Sequence, residues 1–215
     1  MTCHILPSLL AADLTRIGEE IEAVLAAGAD LLHLDIMDNH YVPNLTFGPA
    51  LCEAIRKRFK TVPIDVHLMA SPIDALIQQV ADAGANRISI HPDTTHHLDR
   101  SLQLITELGC QAGLVLNPAT SLESLLWCAH RLHFILVMTV NPGFGGQTLL
   151  SDIIPKIALL HRHYPALPIC VDGGITPANI ATLRAAGATQ FVVGSALFGS
   201  QDYDKTIALL KTDGL

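Results

Sequence analysis

Short aliphatic runs alternate with amphipathic segments along the whole chain. The runs that read as β-strands are Ile5–Leu9, Leu31–Met37, Ile64–Met69, Arg87–His91, Ala112–Leu116, Phe134–Thr139, Ile169–Asp172 and Phe191–Val193. Between them, apolar residues recur three and four positions apart, which predicts helices at 13–27, 48–59, 72–83, 96–108, 121–130, 152–163, 177–186 and 202–211. Strict alternation of strand and helix predicts parallel strands joined by right-handed crossovers.

Eight strand–helix units favour a closed (β/α)8 TIM barrel over an open doubly wound sheet. The first strand is not followed by the Gly-x-Gly-x-x-Gly pattern that a dinucleotide-binding sheet prefers. Three helix exits read Ala-Gly-Ala, at 27–29, 83–85 and 186–188, and form a weak internal repeat. With 215 residues, we expect one domain over 1–215 and no inserted domain.

Two of the predicted strands carry polar residues on one face only. In the run 33–38, His-Leu-Asp-Ile-Met-Asp, the polar residues His33 and Asp35 share a face with Met37. The run 64–69, Ile-Asp-Val-His-Leu-Met, repeats this alternation. Buried parallel strands are normally apolar on both faces, so matched polar faces indicate one shared site inside the barrel.

Four of the polar side chains at predicted strand ends form a set of metal-ligand type. These are His33, Asp35, His67 and Asp172. Two imidazoles and two carboxylates suit Zn²⁺, Fe²⁺, Mn²⁺ or Co²⁺, and active sites of such barrels lie at the carboxyl ends of the strands. Any one of the four could be a hydrogen-bonded core residue, but all four together favour an ion. Ser8, His91 and Asn117 lie at further strand ends.

Glycine-rich loops follow the last three predicted strands, at 141–147, 172–174 and 194–195. Glycine lets backbone N–H groups approach an anion closely, and the loops after the last two strands are the recurring phosphate site of this fold. Tight turns are the alternative explanation for each loop alone. Met37, Met69 and Met138 also lie near strand ends, where they are either core filler or an apolar roof over reacting atoms.

Composition excludes two classes of partner. The formal net charge is −7 and the pI is about 5.8, so the chain lacks the basic surface that nucleic acid or an acidic membrane requires. We expect a cytoplasmic protein, since no run approaches the length of a membrane span and the amino terminus does not resemble a signal peptide. The five cysteines are widely spaced and are interpreted as reduced thiols.

At this point the motifs resemble those of a known family, the ribulose-phosphate 3-epimerases. The matching segments run in family order from the first strand to the last: 6–10 (Leu-Pro-Ser-Leu-Leu), 33–38, 42–44 (Val-Pro-Asn), 65–69, 112–120, 140–147 and 171–175. The resemblance implies a barrel of the ribulose-phosphate-binding type. It also implies interconversion of D-ribulose 5-phosphate and D-xylulose 5-phosphate with one divalent metal ion per subunit, and self-association of subunits.

Residue roles follow from the same resemblance. His33, Asp35, His67 and Asp172 correspond to the metal ligands, and Asp35 and Asp172 also to the acid/base pair. The implied substrate and phosphate contacts are Ser8, His67, Gly143, Phe144, Gly145, Gly146, Asp172, Gly173, Gly174, Gly194 and Ser195. Chemistry agrees: inverting a carbon beside a ketone removes its proton on one face and returns a proton on the other through an enediolate, which a metal stabilises.

The chain departs from the family pattern in three loops. Asn39 stands where a glycine is usual, 91–93 reads His-Pro-Asp, and the region of Ser151 and Pro155 differs, with Pro155 either starting the sixth helix or bending it. Two alternatives remain at this stage. One is an epimerase for a six-carbon phosphoketose such as D-allulose 6-phosphate, and the other is a non-catalytic phosphosugar-binding barrel.

Overall fold

The computed structural model describes residues 3–212 and contains one eight-stranded parallel sheet. The strands are β1 (His4–Pro7), β2 (Leu32–Met37), β3 (Ile64–Met69), β4 (Arg87–Ile90), β5 (Gln111–Leu116), β6 (Phe134–Met138), β7 (Ile169–Asp172) and β8 (Gln190–Val193). Their order in the sheet is β1-β8-β7-β6-β5-β4-β3-β2. A parallel bridge between Ser8 and His33 joins the two ends, so the predicted TIM barrel is confirmed.

Helices surround this barrel. They are α1 (Ile17–Ala26), α2 (Pro49–Arg58), α3 (Asp74–Asp82), α4 (Leu98–Glu107), α5 (Leu125–Cys128), α6 (Ile154–His163), α7 (Ile180–Ala185), α8 (Ser195–Phe198) and α9 (Tyr203–Lys211). No helix within residues 3–212 combines the length and hydrophobicity of a membrane span. Gly28, Gly84 and Gly187 have positive φ directly after α1, α3 and α7, which confirms the Ala-Gly-Ala repeat as a set of helix ends.

The period-two pattern divides each strand between two layers. Outward residues such as Leu32, Leu34 and Ile36 of β2 join the large core between strands and helices. Inside the barrel, an apolar cluster fills the side formed by β5–β8, with Phe134, Leu136 and Cys170 among its members. The inward faces of β2, β3 and β4 carry the polar residues, together with Met37 and Met69, and these side chains are fully or nearly fully buried. The interior is therefore polar on one side and apolar on the other.

Several elements differ from the sequence prediction, and the structure settles the alternative left open at Pro155. Strand β1 ends at Pro7 because Leu9 enters a 3₁₀ turn, Leu9–Ala11. The helix predicted at 121–130 contracts to α5 plus a 3₁₀ turn, where the Ser121 hydroxyl accepts the N–H of Glu123 and favours a local turn instead. Helix α8 was not predicted. Pro155 lies in the first turn of α6 and so starts that helix rather than bending it.

Candidate active site

The four predicted ligand residues meet at the carboxyl end of the barrel. Strand β2 carries His33 and Asp35, β3 carries His67 and β7 ends in Asp172. Asp35 Oδ1 lies 3.3 Å from His33 Nε2 and 3.2 Å from His67 Nδ1. Asp172 Oδ2 lies 3.7 Å from His33 Nε2 and 3.9 Å from His67 Nδ1. Strands that are distant in the sequence thus bring two nitrogens and two oxygens to one point.

This donor set fits a divalent ion. One ligand atom from each of the four residues lies within 4.8 Å of the other three. Bonds of about 2.0–2.2 Å from a tetrahedral Zn²⁺ place neighbouring donors about 3.3–3.6 Å apart. The four nitrogen–oxygen separations, 3.2 to 3.9 Å, bracket that range. Mixed imidazole and carboxylate donors equally accept Fe²⁺, Mn²⁺ and Co²⁺, so the site could hold any of these ions.

The two carboxylates differ in proton affinity. Burial opposes ionisation of Asp35, but the partners His33 and His67 outweigh it and lower its pKa below the usual range. Ser8 Oγ also donates a hydrogen bond of 2.7 Å to Asp35 Oδ2. For Asp172, burial and the neighbouring charge of Asp35 raise the pKa to about 7. In the metal-free site, Asp172 is therefore the more readily protonated of the two carboxylates.

In both imidazoles, the ring nitrogen that points away from the carboxylates of Asp35 and Asp172 contacts another buried side chain. His33 Nδ1 lies 2.8 Å from Asp65 Oδ2, and His67 Nε2 lies 2.8 Å from His91 Nε2. Burial lowers the pKa of His33, but the carboxylates of Asp35 and Asp65 raise it well above its ordinary value. For His67, burial outweighs the effect of Asp35 and lowers the pKa below its ordinary value. Both rings are fully buried, so they lie behind the carboxylates as seen from solvent.

An open cavity of about 590 Å³, mouth included, lies above these groups. Every predicted site residue except His33 and His67 lines it: Ser8, Asp35, Met37, Met69, Met138, Gly143, Phe144, Gly145, Gly146, Asp172, Gly173, Gly174, Gly194 and Ser195. The described lining residues include no lysine or arginine. An anionic group in this cavity would therefore depend on backbone N–H groups and hydroxyls.

Packing and backbone conformation both require the two glycines after β7. A Cβ on Gly173 would lie 2.4 Å from a methyl of Val140, and one on Gly174 would lie 2.5 Å from the backbone nitrogen of Leu149. Both glycines also have positive φ, of 117° and 65°. The loops after β6 and β7 are thus held against each other at the cavity rim.

The methionines occupy two sides of the cavity. Met37 and Met69 are register partners in β2 and β3 and pack with Val42 in a small apolar cluster. Met138 belongs to the apolar interior of the barrel and pairs in register with Asp172. All three are nearly completely buried, so an apolar surface flanks the two carboxylates.

The loop after β2 covers one side of the site. Asn39 has φ of 58°, a left-handed backbone conformation that asparagine tolerates better than most residues. The hydroxyl of Thr46 accepts the N–H of Met37 at 3.0 Å and donates to the carbonyl of Asp35 at 2.5 Å. Asn44 Nδ2 donates to the carbonyl of Gly143 at 2.7 Å, which ties this loop to the loop after β6.

Two further groups near the site were flagged by sequence only as strand ends. His91 contacts His67 and the ring of Tyr41, whose centroid is 4.8 Å away. Asn117 Nδ2 donates to the Tyr41 hydroxyl, and that hydroxyl donates to Asp93. Neither strand-end residue lines the cavity. Thr46 and Asp65 were missed as site residues, although the period-two pattern already placed Asp65 on the inward face of β3.

Comparison with known proteins agrees with this geometry. The model of the ribulose-phosphate 3-epimerase family matches residues 4–198, which covers every strand and all of the candidate site. The chain belongs to the ribulose-phosphate 3-epimerase family. Family membership makes it an enzyme, an epimerase, and excludes the non-catalytic alternative.

Relatives of known name extend the match to nearly full length. The ribulose-phosphate 3-epimerase of Serratia marcescens is 51% identical over 205 residues, which is 94% of this chain and 98% of that protein. The enzyme of the same name from Escherichia coli K12 is 47% identical, over 97% of this chain and 95% of that protein. A solved 3-hexulose-6-phosphate synthase from Salmonella typhimurium has a TM-score of 0.72 at 16% identity, over 97% of this chain and 96% of that one, and shares the fold alone.

Proposed function

We propose that the enzyme interconverts D-ribulose 5-phosphate and D-xylulose 5-phosphate by inversion at C3, with Asp35 and Asp172 as the two proton-transferring groups. The observation that carries the proposal is the pair itself. The two carboxylates come from β2 and β7, line one cavity and differ in proton affinity. Two carboxyl groups whose environments separate their pKa values are the usual arrangement for an acid and a base.

Inversion requires groups on both faces of the reacting carbon. A single base returns the proton to the face from which it came, whereas a second group can deliver a proton to the opposite face. We assign Asp35, held by the Ser8 hydroxyl and two imidazoles, to one face and Asp172 to the other. Each carboxyl alternates between acceptor and donor according to the direction of the reaction.

We assign His33, Asp35, His67 and Asp172 as ligands of one divalent ion, Zn²⁺, Fe²⁺, Mn²⁺ or Co²⁺. Such an ion, when bound, supplies Lewis-acid stabilisation of the negative charge that develops on the substrate when the proton leaves. Met37, Met69 and Met138 then serve as an apolar roof, because thioether side chains exclude water and compete poorly for the proton.

For the phosphate, we propose the glycine loops at the cavity rim. The contacts assigned are Gly143–Gly146, Gly173, Gly174, Gly194 and Ser195, all of which line the cavity. Support comes from the absence of basic side chains among the described lining residues and from the names of the relatives, which are ribulose-phosphate 3-epimerases. Backbone N–H groups at glycines are suited to a dianion in an acidic protein.

Proton exchange in D₂O tests the assignment. Asp172→Asn should abolish epimerisation while Asp35 still exchanges the C3 proton of one epimer, so deuterium enters the substrate without any product. Asp35→Asn should restrict exchange to the other epimer. Asp204→Asn, on the exposed first turn of α9, serves as the matched control and should keep full activity. Epimerisation at near-normal rate by Asp172→Asn would refute the two-base assignment.

Substrate length needs a separate measurement. The six-carbon D-allulose 6-phosphate uses the same catalytic groups, so only kcat/KM for both sugars distinguishes the two substrates. We expect the five-carbon sugar to be preferred by at least tenfold, in line with the names of the relatives. Self-association of identical subunits and a cytoplasmic location remain predictions, which sedimentation and cell fractionation can check.

A further inference from the structure

The two imidazoles of the candidate metal site present different ring nitrogens to the site. His33 turns Nε2 toward the carboxylates of Asp35 and Asp172, whereas His67 turns Nδ1 toward the same two carboxylates. The opposite nitrogen of each ring contacts a further buried side chain, Asp65 for His33 and His91 for His67. A neutral imidazole binds a metal only through its unprotonated nitrogen, so these outer contacts decide which nitrogen is available.

The direction of the hydrogen bond at His33 follows from the charge on Asp65. An ionised carboxylate only accepts hydrogen bonds, and Asp65 is ionised because Arg87 Nε lies 3.2 Å from its Oδ1. His33 Nδ1 therefore donates to Asp65 Oδ2. In its neutral, metal-binding form, the ring then has its lone pair on Nε2, which is the nitrogen that faces the site.

Asp65 is itself held firmly. Arg87 Nη2 donates to Gln190 Oε1 at 2.8 Å, and the guanidinium carbon lies 3.8 Å from the centre of the Phe134 ring. These contacts reach from β4 to β8 and β6 across the floor of the barrel. A carboxylate fixed in this way fixes both the tautomer and the plane of the imidazole that donates to it.

At His67 the direction follows from the ion. If Nδ1 is to bind a cation, it cannot carry a proton, so the proton of the neutral ring is on Nε2. Its partner 2.8 Å away is His91 Nε2, which must accept that hydrogen bond. His91 is fully buried, and its other face packs on the Tyr41 ring, so its orientation is also fixed.

We propose that Asp65 and His91 are positioning residues that give the two ligand imidazoles opposite tautomers, with Nε2 of His33 and Nδ1 of His67 available to the ion. The inference rests on the metal site of the proposed function. The two partners differ in kind, since Asp65 is an anion supported by Arg87 and His91 is a neutral acceptor. Loss of such outer partners typically weakens metal binding about 10–100-fold.

Zn²⁺ binding to the full chain tests the roles of the two partners, with the dissociation constant measured by competition with a chromogenic chelator. His91→Leu removes the acceptor and should raise Kd about 10–100-fold, whereas His91→Gln retains an acceptor oxygen and should stay within about threefold of wild type. Asp65→Leu should weaken binding at least as much as His91→Leu, and Asp65→Asn less. His163→Leu, at the exposed end of α6, is the control and should leave Kd unchanged.

A second measurement does not depend on any substitution. The ¹⁵N chemical shifts of histidine side chains in the Zn²⁺-loaded wild-type chain report which nitrogen carries the proton. We expect a proton on Nδ1 of His33 and on Nε2 of His67. The inference is overturned if both rings bind through the same nitrogen, or if His91→Gln binds Zn²⁺ as weakly as His91→Leu in folded protein. A wild-type chain that binds no divalent ion would overturn the metal site of the proposed function together with this inference, whereas the other failures leave that site intact.

Discussion

Replacement of Asp172 with Asn should stabilise the metal-free protein at alkaline pH while it abolishes epimerisation. The folded chain raises the pKa of Asp172 to about 7, whereas an unfolded aspartate titrates near about 3.9. The folded state therefore binds more protons between these values, and stability falls as the pH rises through that window. Three pKa units correspond to about 4 kcal/mol as an upper limit.

Part of this cost is relieved by solvent, because the Asp172 side chain is 14% exposed. We expect the free energy of unfolding of Asp172→Asn, relative to wild type, to rise by about 1–3 kcal/mol between pH 5 and pH 8. The assay is urea unfolding at both pH values in the presence of a chelator, with Asp204→Asn as the control. Saturating Zn²⁺ should reverse the order, since an ion that binds only the folded wild type stabilises it. A stability difference that is independent of pH, or that falls as the pH rises, would refute the reasoning.

Two further substitutions test how the barrel supports the site. Gly113→Ala should lower the free energy of unfolding by about 1–3 kcal/mol in urea, because the added Cβ would lie 2.3 Å from the ring of Phe134. Phe134→Leu in the same chain should recover part of that loss. Strictly additive effects of the two substitutions would contradict the contact. Thr46→Val should lower kcat about tenfold or more, because it removes the hydroxyl that donates to the carbonyl of Asp35 and accepts the N–H of Met37. Thr46→Ser keeps the hydroxyl and should have a kcat near that of wild type. Equal losses in the two variants would contradict a role for the hydroxyl.

The barrel was predictable because each strand is a short aliphatic run between helical segments, and its side chains alternate between two faces. The same period predicts that His33, Asp35 and His67 lie on inward faces. The fragmentation of the helix predicted at 121–130 was not predictable, because side-chain-to-backbone bonds such as that at Ser121 compete with the helix locally. Helix α8 was missed because four residues are too few to show a helical period.

The outer contacts of the site could not be read from the sequence at all. Asp65 pairs with Arg87 because β3 and β4 align these two residues in register. His91 meets His67 although His67 aligns with Ser89, so the contact depends on the course of the chain beyond the end of β4. Period-two patterns predict which face a residue occupies, but register and strand order decide its neighbours.

The difference between the two sides of the barrel interior explains why two chemically identical side chains can have opposite roles. Asp35 projects from the polar side, where two imidazoles and the Ser8 hydroxyl favour its charge. Asp172 ends a strand on the apolar side, next to Met138 in register and two residues after the buried Cys170. Burial there, with the charge of Asp35 nearby, favours the protonated form. In the metal-free protein, this contrast separates the proton affinities of the two carboxylates, and it follows from strand order rather than from either residue alone.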